Sequence, residues 1–160
     1  GKGKTTAALG LALRACGSSL RVFLAQFAKG RHYGELDALA RFADLVTVRQ
    51  YGREGFIRGE PSAEDLRLAR AGWQEVCAVS ARAEHDLLIL DEIGIALHYR
   101  LVGLAEVLEL LTGKPPTLEL VLTGRKIPPE LLERADLVTE MREVKHYYAR
   151  GVAARKGIEY

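Results

Sequence analysis

Gly1-Lys2-Gly3-Lys4-Thr5-Thr6, followed without a break by Ala7-Ala8-Leu9-Gly10-Leu11-Ala12-Leu13-Arg14-Ala15-Cys16, decides how this chain folds. The first six residues read as the second half of a phosphate-binding loop of the pattern G-x-x-x-x-G-K-S/T. At that spacing the opening glycine falls before Gly1. Glycines let successive backbone N–H groups turn onto phosphate oxygens with no Cβ in the way. A helix start directly behind them adds partial positive charge. Lys4 then reaches the phosphates, and the Thr5 hydroxyl sits on Mg²⁺. The bland alternative is a flexible basic tail. Residues 7–16 speak against it: apolar almost all round, they predict a buried helix with Gly17 as its C′ residue.

Outward from that unit, short apolar runs alternate with amphipathic stretches, which predicts an α/β fold with a mostly parallel sheet. Val22–Phe27 is the first strand, and Leu36, Leu39, Ala40 and Ala43 recur at helical spacing. Leu45–Val48 is a second strand, and the glycine- and charge-rich stretch from Tyr51 to Pro61 is long enough to be a functional loop. Ser62-Ala63-Glu64-Asp65 resembles a capping box opening a long helix, with Leu66, Ala69, Trp73, Val76 and Cys77 as its buried stripe. Leu87–Leu90 is a continuous apolar run, as expected of a strand covered on both faces. Leu101, Leu104, Leu108 and Leu111 mark another helix, and Leu118–Thr123 another strand. Pro128-Pro129 can start a short helix, and Leu137–Glu140 reads as a last strand. With no repeats or linker, residues 1–160 are expected to form one domain.

Composition excludes more than it assigns. A formal net charge of +2 is too small to argue for nucleic acid or an anionic membrane surface. No apolar stretch is long enough to span a bilayer, and no signal peptide is visible. Cys16 and Cys77 lie in apolar helical patterns and read as buried, which fits a reducing, cytoplasmic setting. His32, His85, His98 and His146 show no metal-ligand spacing.

Asp91-Glu92 directly follows the apolar run 87–90. A carboxylate at the end of a buried parallel strand is where a phosphate-loop protein holds Mg²⁺. Thr5, Asp91 and Glu92 are therefore the metal candidates, with the split between the two carboxylates open. Thr123-Gly124-Arg125 also ends a strand, so Arg125 could contact phosphate, although a solvated loop arginine fits the spacing nearly as well. Lys29, Arg31, Lys145 and His146 are individually uninformative. No Ser/His/Asp or Cys/His set stands out as a protein nucleophile.

In the order and spacing of its motifs the chain resembles the phosphate-loop ATP:corrinoid adenosyltransferases. The matching segments are Gly1–Gly10, Gln26–Gly30, Gly34-Glu35, Gly55-Phe56, Leu90–Glu92, Thr123–Arg125, Val144–His146 and Gly157–Tyr160. The resemblance implies a RecA-like P-loop NTPase fold, a homodimer, and transfer of the 5′-deoxyadenosyl group of ATP onto the Co(I) centre of cob(I)alamin or cob(I)yrinic acid a,c-diamide. Cobalt is then the nucleophile and triphosphate the leaving group, which fits the missing protein nucleophile. Carried across, Gly1, Lys2, Gly3, Lys4, Thr5 and Thr6, with Arg125, bind ATP, and Lys4, Thr5 and Glu92 are catalytic. The family's nucleotide lies reversed relative to ordinary phosphate-loop hydrolases. Phe56 matches an aromatic beside the corrinoid, where the cobalt is reduced by a flavoprotein. Arg58 stands where the enterobacterial enzymes carry a tryptophan. The family also has a strand before the phosphate loop, and often a segment covering the corrinoid. Neither is in this sequence, so the resemblance implies a fragment or a misplaced start. A RecA-like ATP hydrolase or kinase is the alternative activity, with Glu92 orienting water. A non-catalytic binding module is the third reading, disfavoured by the lack of an Asp-x-His-x-x-Gly signature.

Overall fold

A computed structural model describes residues 2–55, 57 and 59–159. Four strands, β1 (Val22–Phe27), β2 (Val46–Tyr51), β3 (Leu87–Asp91) and β4 (Glu119–Leu122), form an all-parallel sheet in the order β2-β1-β3-β4. The helices are α1 (Lys4–Cys16), α2 (Gly34–Leu39), α3 (Ala63–Arg82), α4 (Ile93–His98), α5 (Leu104–Gly113) and α6 (Pro129–Arg134). This is the expected α/β architecture.

The period-2 alternation of each strand divides the core between the two sheet faces. Val22 and Leu24 of β1, with Leu87 and Ile89 of β3, pack with Ala8, Ala12, Ala15 and Cys16 of α1. Phe23, Ala25 and Phe27, with Leu88 and Leu90, pack on the opposite face with Trp73 and Val76 of α3 and with Val107 of α5. β1 and β3 are buried at every position, because both faces are covered. β4 lies at one edge and is only partly covered.

Several local expectations need correction. α1 is not buried all round: its small residues face the sheet, while Leu13 is 54% exposed. Gly17 closes α1 in a right-handed conformation (φ −61°), and the left-handed residue of that turn is Ser19 (φ 58°). The buried stripe of α3 runs through Asp65, Ala69, Gly72, Trp73, Val76, Val79 and Ser80, which leaves Leu66 and Cys77 exposed. Leu66 and Cys77 each lie one residue, about 100° of helix, off that stripe. Residues 137–140 form no strand, and Leu137 is 84% exposed. A short β-prone run forms a strand only where a sheet edge is there to pair with it.

Candidate phosphate and metal site

The site is built at the carboxyl ends of the strands, on the face covered by α1. Gln26 pairs in register with Gln50 on one side and Asp91 on the other, and Thr123 follows Leu122, the partner of Leu90. Alternation places all four polar side chains on the α1 face, one per strand. They are joined in a row: Gln50 Nε2 donates to Gln26 Oε1 (3.0 Å), Gln26 Nε2 to Asp91 Oδ2 (3.1 Å), and the Thr123 hydroxyl to Asp91 Oδ1 (2.7 Å).

Asp91 is fully buried, a placement tolerated only with charge and hydrogen-bond compensation. Lys29 Nζ lies 2.8 Å from Oδ2, and the Thr5 hydroxyl donates at 3.0 Å to Oδ1. Burial pulls the Asp91 carboxyl upward. The Lys29 charge and the bonds from Lys29, Thr123 and Thr5 override it and hold the group below the usual carboxylate value. Asp91 is thus an ionised anchor whose oxygens are already engaged.

Glu92 is placed differently. It turns out of β3 in the left-handed region (φ 58°), at a cost of about 1–2 kcal/mol for a side chain with a Cβ. Its N–H donates to Thr123 Oγ1 at 3.0 Å, and its carboxylate lies 3.7 Å from Lys4 Nζ. Beside it a glycine pair brings two loops into backbone contact. A Cβ on Gly124 would stand 2.5 Å from the Gly94 nitrogen, so only glycine fits. That contact sets the course of the loop carrying Arg125, which is exposed.

Above this row, Gly3 is the N-cap of α1; its φ of 104° suits glycine alone, and the helix start has no side-chain cap and no acidic residue in the first turn. A helix start with no side-chain cap and no nearby carboxylate in its first turn carries positive potential, a fitting seat for an anion. The donor set beneath it is a hydroxyl and two carboxylates, all hard oxygens. Among the described residues no three His, Cys, Asp or Glu side chains stand together as a protein-only metal cage. A divalent cation at these oxygens would need further oxygen ligands, from water or a bound anion, to complete its shell.

The structure brings together Lys4, Thr5, Asp91 and Glu92 as the sequence predicts. Lys2 is directed elsewhere. Its Nζ pairs with Glu159 at 2.7 Å and lies 5.6 Å from the centre of the Tyr147 ring. The carboxyl-terminal stretch therefore packs against the phosphate loop, and Lys145 and His146 line a cavity of about 310 Å³ beside Lys2. Thr6 is exposed in the first turn of α1. Gly1, Phe56 and Arg58 lie outside the described residues. Sequence reasoning placed Gln26, Lys29 and Thr123 in matching segments but gave none of them a role. Each is an unremarkable polar residue at a strand end until the register is known.

Residues 1–160 match the family described as ATP:corrinoid adenosyltransferase BtuR/CobO/CobP. A corrinoid adenosyltransferase of Pseudomonas aeruginosa is 36% identical over 162 residues, covering all of this chain and 79% of that protein. One of a Sinorhizobium species is 35% identical over 164 residues, covering all of this chain and 76% of its own length. One of Escherichia coli is 36% identical over 161 residues, with 100% and 81% covered.

Proposed function

This chain belongs to the ATP:corrinoid adenosyltransferase family, and from that membership we propose how its residues divide the work of adenosyl transfer. The reaction moves the 5′-deoxyadenosyl group of ATP onto the cobalt of a reduced corrinoid, in the making of adenosylcobalamin. The cobalt(I) electron pair forms the bond to C5′, the C5′–O bond breaks, and triphosphate leaves with that bonding pair. The protein needs no nucleophile of its own; its task is orientation and charge.

The observation that carries this reading is the pairing of an uncapped α1 start with the oxygen cluster beneath it. The loop from Gly1 to Thr6 and the helix start hold the triphosphate, with Lys4 its main charge partner and Arg125 a further one. Thr5 and Glu92 would hold Mg²⁺ directly, while Asp91 acts through Thr5, whose proton it accepts. When bound, the ion neutralises the departing triphosphate. Phe56 and Arg58 are assigned to corrinoid binding by the family's sequence pattern alone. A homodimer, a flavoprotein reductant and a cytoplasmic setting complete the reading. Among the described residues no helix is long and apolar enough to cross a membrane.

Incubating the protein with ATP, Mg²⁺ and chemically reduced cobalamin should yield a light-sensitive Co–C product and one triphosphate per product. Release of ADP and orthophosphate without corrinoid would instead support the hydrolase alternative. Lys4→Ala should lower kcat/KM by about 10²-fold, the scale of removing one preorganised charge contact.

A further inference from the structure

Lys29 holds none of the roles assigned above, yet its ammonium stands at the most contested point of the site. Nζ lies 2.8 Å from Asp91 Oδ2 and 3.3 Å from Thr5 Oγ1, and 5.5 Å from the centre of the Tyr33 ring. Its side chain is only 15% exposed. The backbone beneath it is fixed. Ala28 turns out of β1 in the left-handed region (φ 52°), and its N–H donates to the Tyr51 carbonyl at 3.1 Å. A Cβ on Gly52 would stand 2.5 Å from the Lys29 nitrogen, so the two strand ends meet backbone to backbone. This contact is built into the fold; it is not a chance surface pairing.

The Thr5 hydroxyl gives its one proton to Asp91 and accepts from Lys29. A metal ion on that oxygen would stand about 2.0–2.1 Å away. Two cations drawn to one hydroxyl and one carboxylate repel each other strongly where water is scarce. With Lys29 on Asp91 and Lys4 near Glu92, the site is already balanced, one cation to each carboxylate.

We propose that Lys29 is a placeholder cation: it keeps Thr5 and Asp91 in their working geometry and yields the Thr5 oxygen to the divalent ion that arrives with the triphosphate. On yielding, its ammonium turns to a phosphate oxygen, so the positive charge facing the leaving group rises as the metal enters. The lysine is a positioning residue in the first state and a phosphate ligand in the second. This rests on the reading of Thr5 as a metal ligand.

The test is a titration of Mn²⁺, a paramagnetic stand-in for Mg²⁺, read by electron paramagnetic resonance. It is made without nucleotide on the wild type and on Lys29→Met. Removing the competing charge should tighten binding of the ion alone by about tenfold or more. The variant should also melt at a lower temperature in EDTA and recover on adding Mg²⁺, whereas the wild type should not respond. Equal or weaker Mn²⁺ binding by the folded variant overturns the proposal. Should Lys29→Met not fold, Lys29→Gln, which keeps a donor to Asp91 without the charge, gives the same readout. Mn²⁺ titrated with ATP into the wild type and Thr5→Ala separates the two claims. Indifference to Thr5→Ala removes the metal reading and the placeholder with it. Dependence on Thr5, with Mn²⁺ affinity unchanged in the Lys29 variants, removes the placeholder alone.

Discussion

Asp91 shows how much one residue's environment can demand. Thr5, Gln26, Lys29 and Thr123 all bond to its buried carboxylate, and Thr123 passes the order on to the Glu92 N–H. Thr123→Val keeps the shape but leaves an oxygen and an N–H short of partners. It should cost about 1–3 kcal/mol, read as a shift in the urea midpoint. At the opposite end of β3, His85 packs its ring edge-on to Phe23, with a ring centroid distance of 5.5 Å. Among the described residues its buried Nδ1 has no hydrogen-bond partner. Burial, then the Arg21 charge, holds its pKa below the ordinary 6.5. The unfolded chain therefore takes up a proton near pH 6.5 before the folded one does. Stability should fall as pH drops from 6.5 through the lower folded value and then level off. His85→Gln should flatten that part of a denaturation series run between pH 7.5 and 5. Lys4, Thr5, Asp91 and Glu92 were legible in the sequence because loop spacing and a strand end fix them in line. Gln26, Lys29 and Thr123 were not, because their meaning comes only from strand register.

Among the elements, α3 shows where pattern reading stops. Its capping box is present as the sequence suggested: Ser62 Oγ accepts from the Asp65 N–H at 3.2 Å, and Asp65 accepts from the Ser62 N–H at 2.9 Å. What the pattern concealed is that Asp65 also receives a bidentate pair from Arg53, both bonds at 2.8 Å. The inner face of the first turn thus goes to a carboxylate, and Leu66 faces solvent. The Arg53 pair, outweighing the burial that opposes it, holds the Asp65 carboxyl well below the usual range. Asp65→Ala should lower stability by about 1–2 kcal/mol, the scale of a lost helix cap, measured by thermal denaturation. It should also free Arg53 from its carboxylate partner, which limited proteolysis would report as faster cleavage at Arg53. Leu137–Glu140 failed as a strand for the converse reason: local propensity was present, but the run joins neither edge of the sheet.

For the molecule as a whole, the α/β class was legible because its strands read as continuous apolar runs and its helices as amphipathic ones. Strand order was not, since no residue announces its neighbour. Two glycine contacts, Gly30 with Gly52 and Gly94 with Gly124, let the loops that follow separate strands meet at the site. Gly94→Ala would drive a Cβ into the Arg125 carbonyl oxygen. It should cost about 1–3 kcal/mol as an overpacked contact, seen as a lowered urea midpoint. Adenosyl transfer should fall further than stability alone explains, because Arg125 moves with that loop.

The polar row from Gln50 to Thr123 has a consequence for folding as well as for chemistry. Each strand contributes one member at or just past its end, and each member is preceded in sequence by a residue that points to the other face. A slip of one residue in any strand would swap its polar tooth for the wrong face and leave the neighbouring teeth unmeshed. The row therefore works as a checksum on alignment: four strands can close it together only when every one of them is counted correctly.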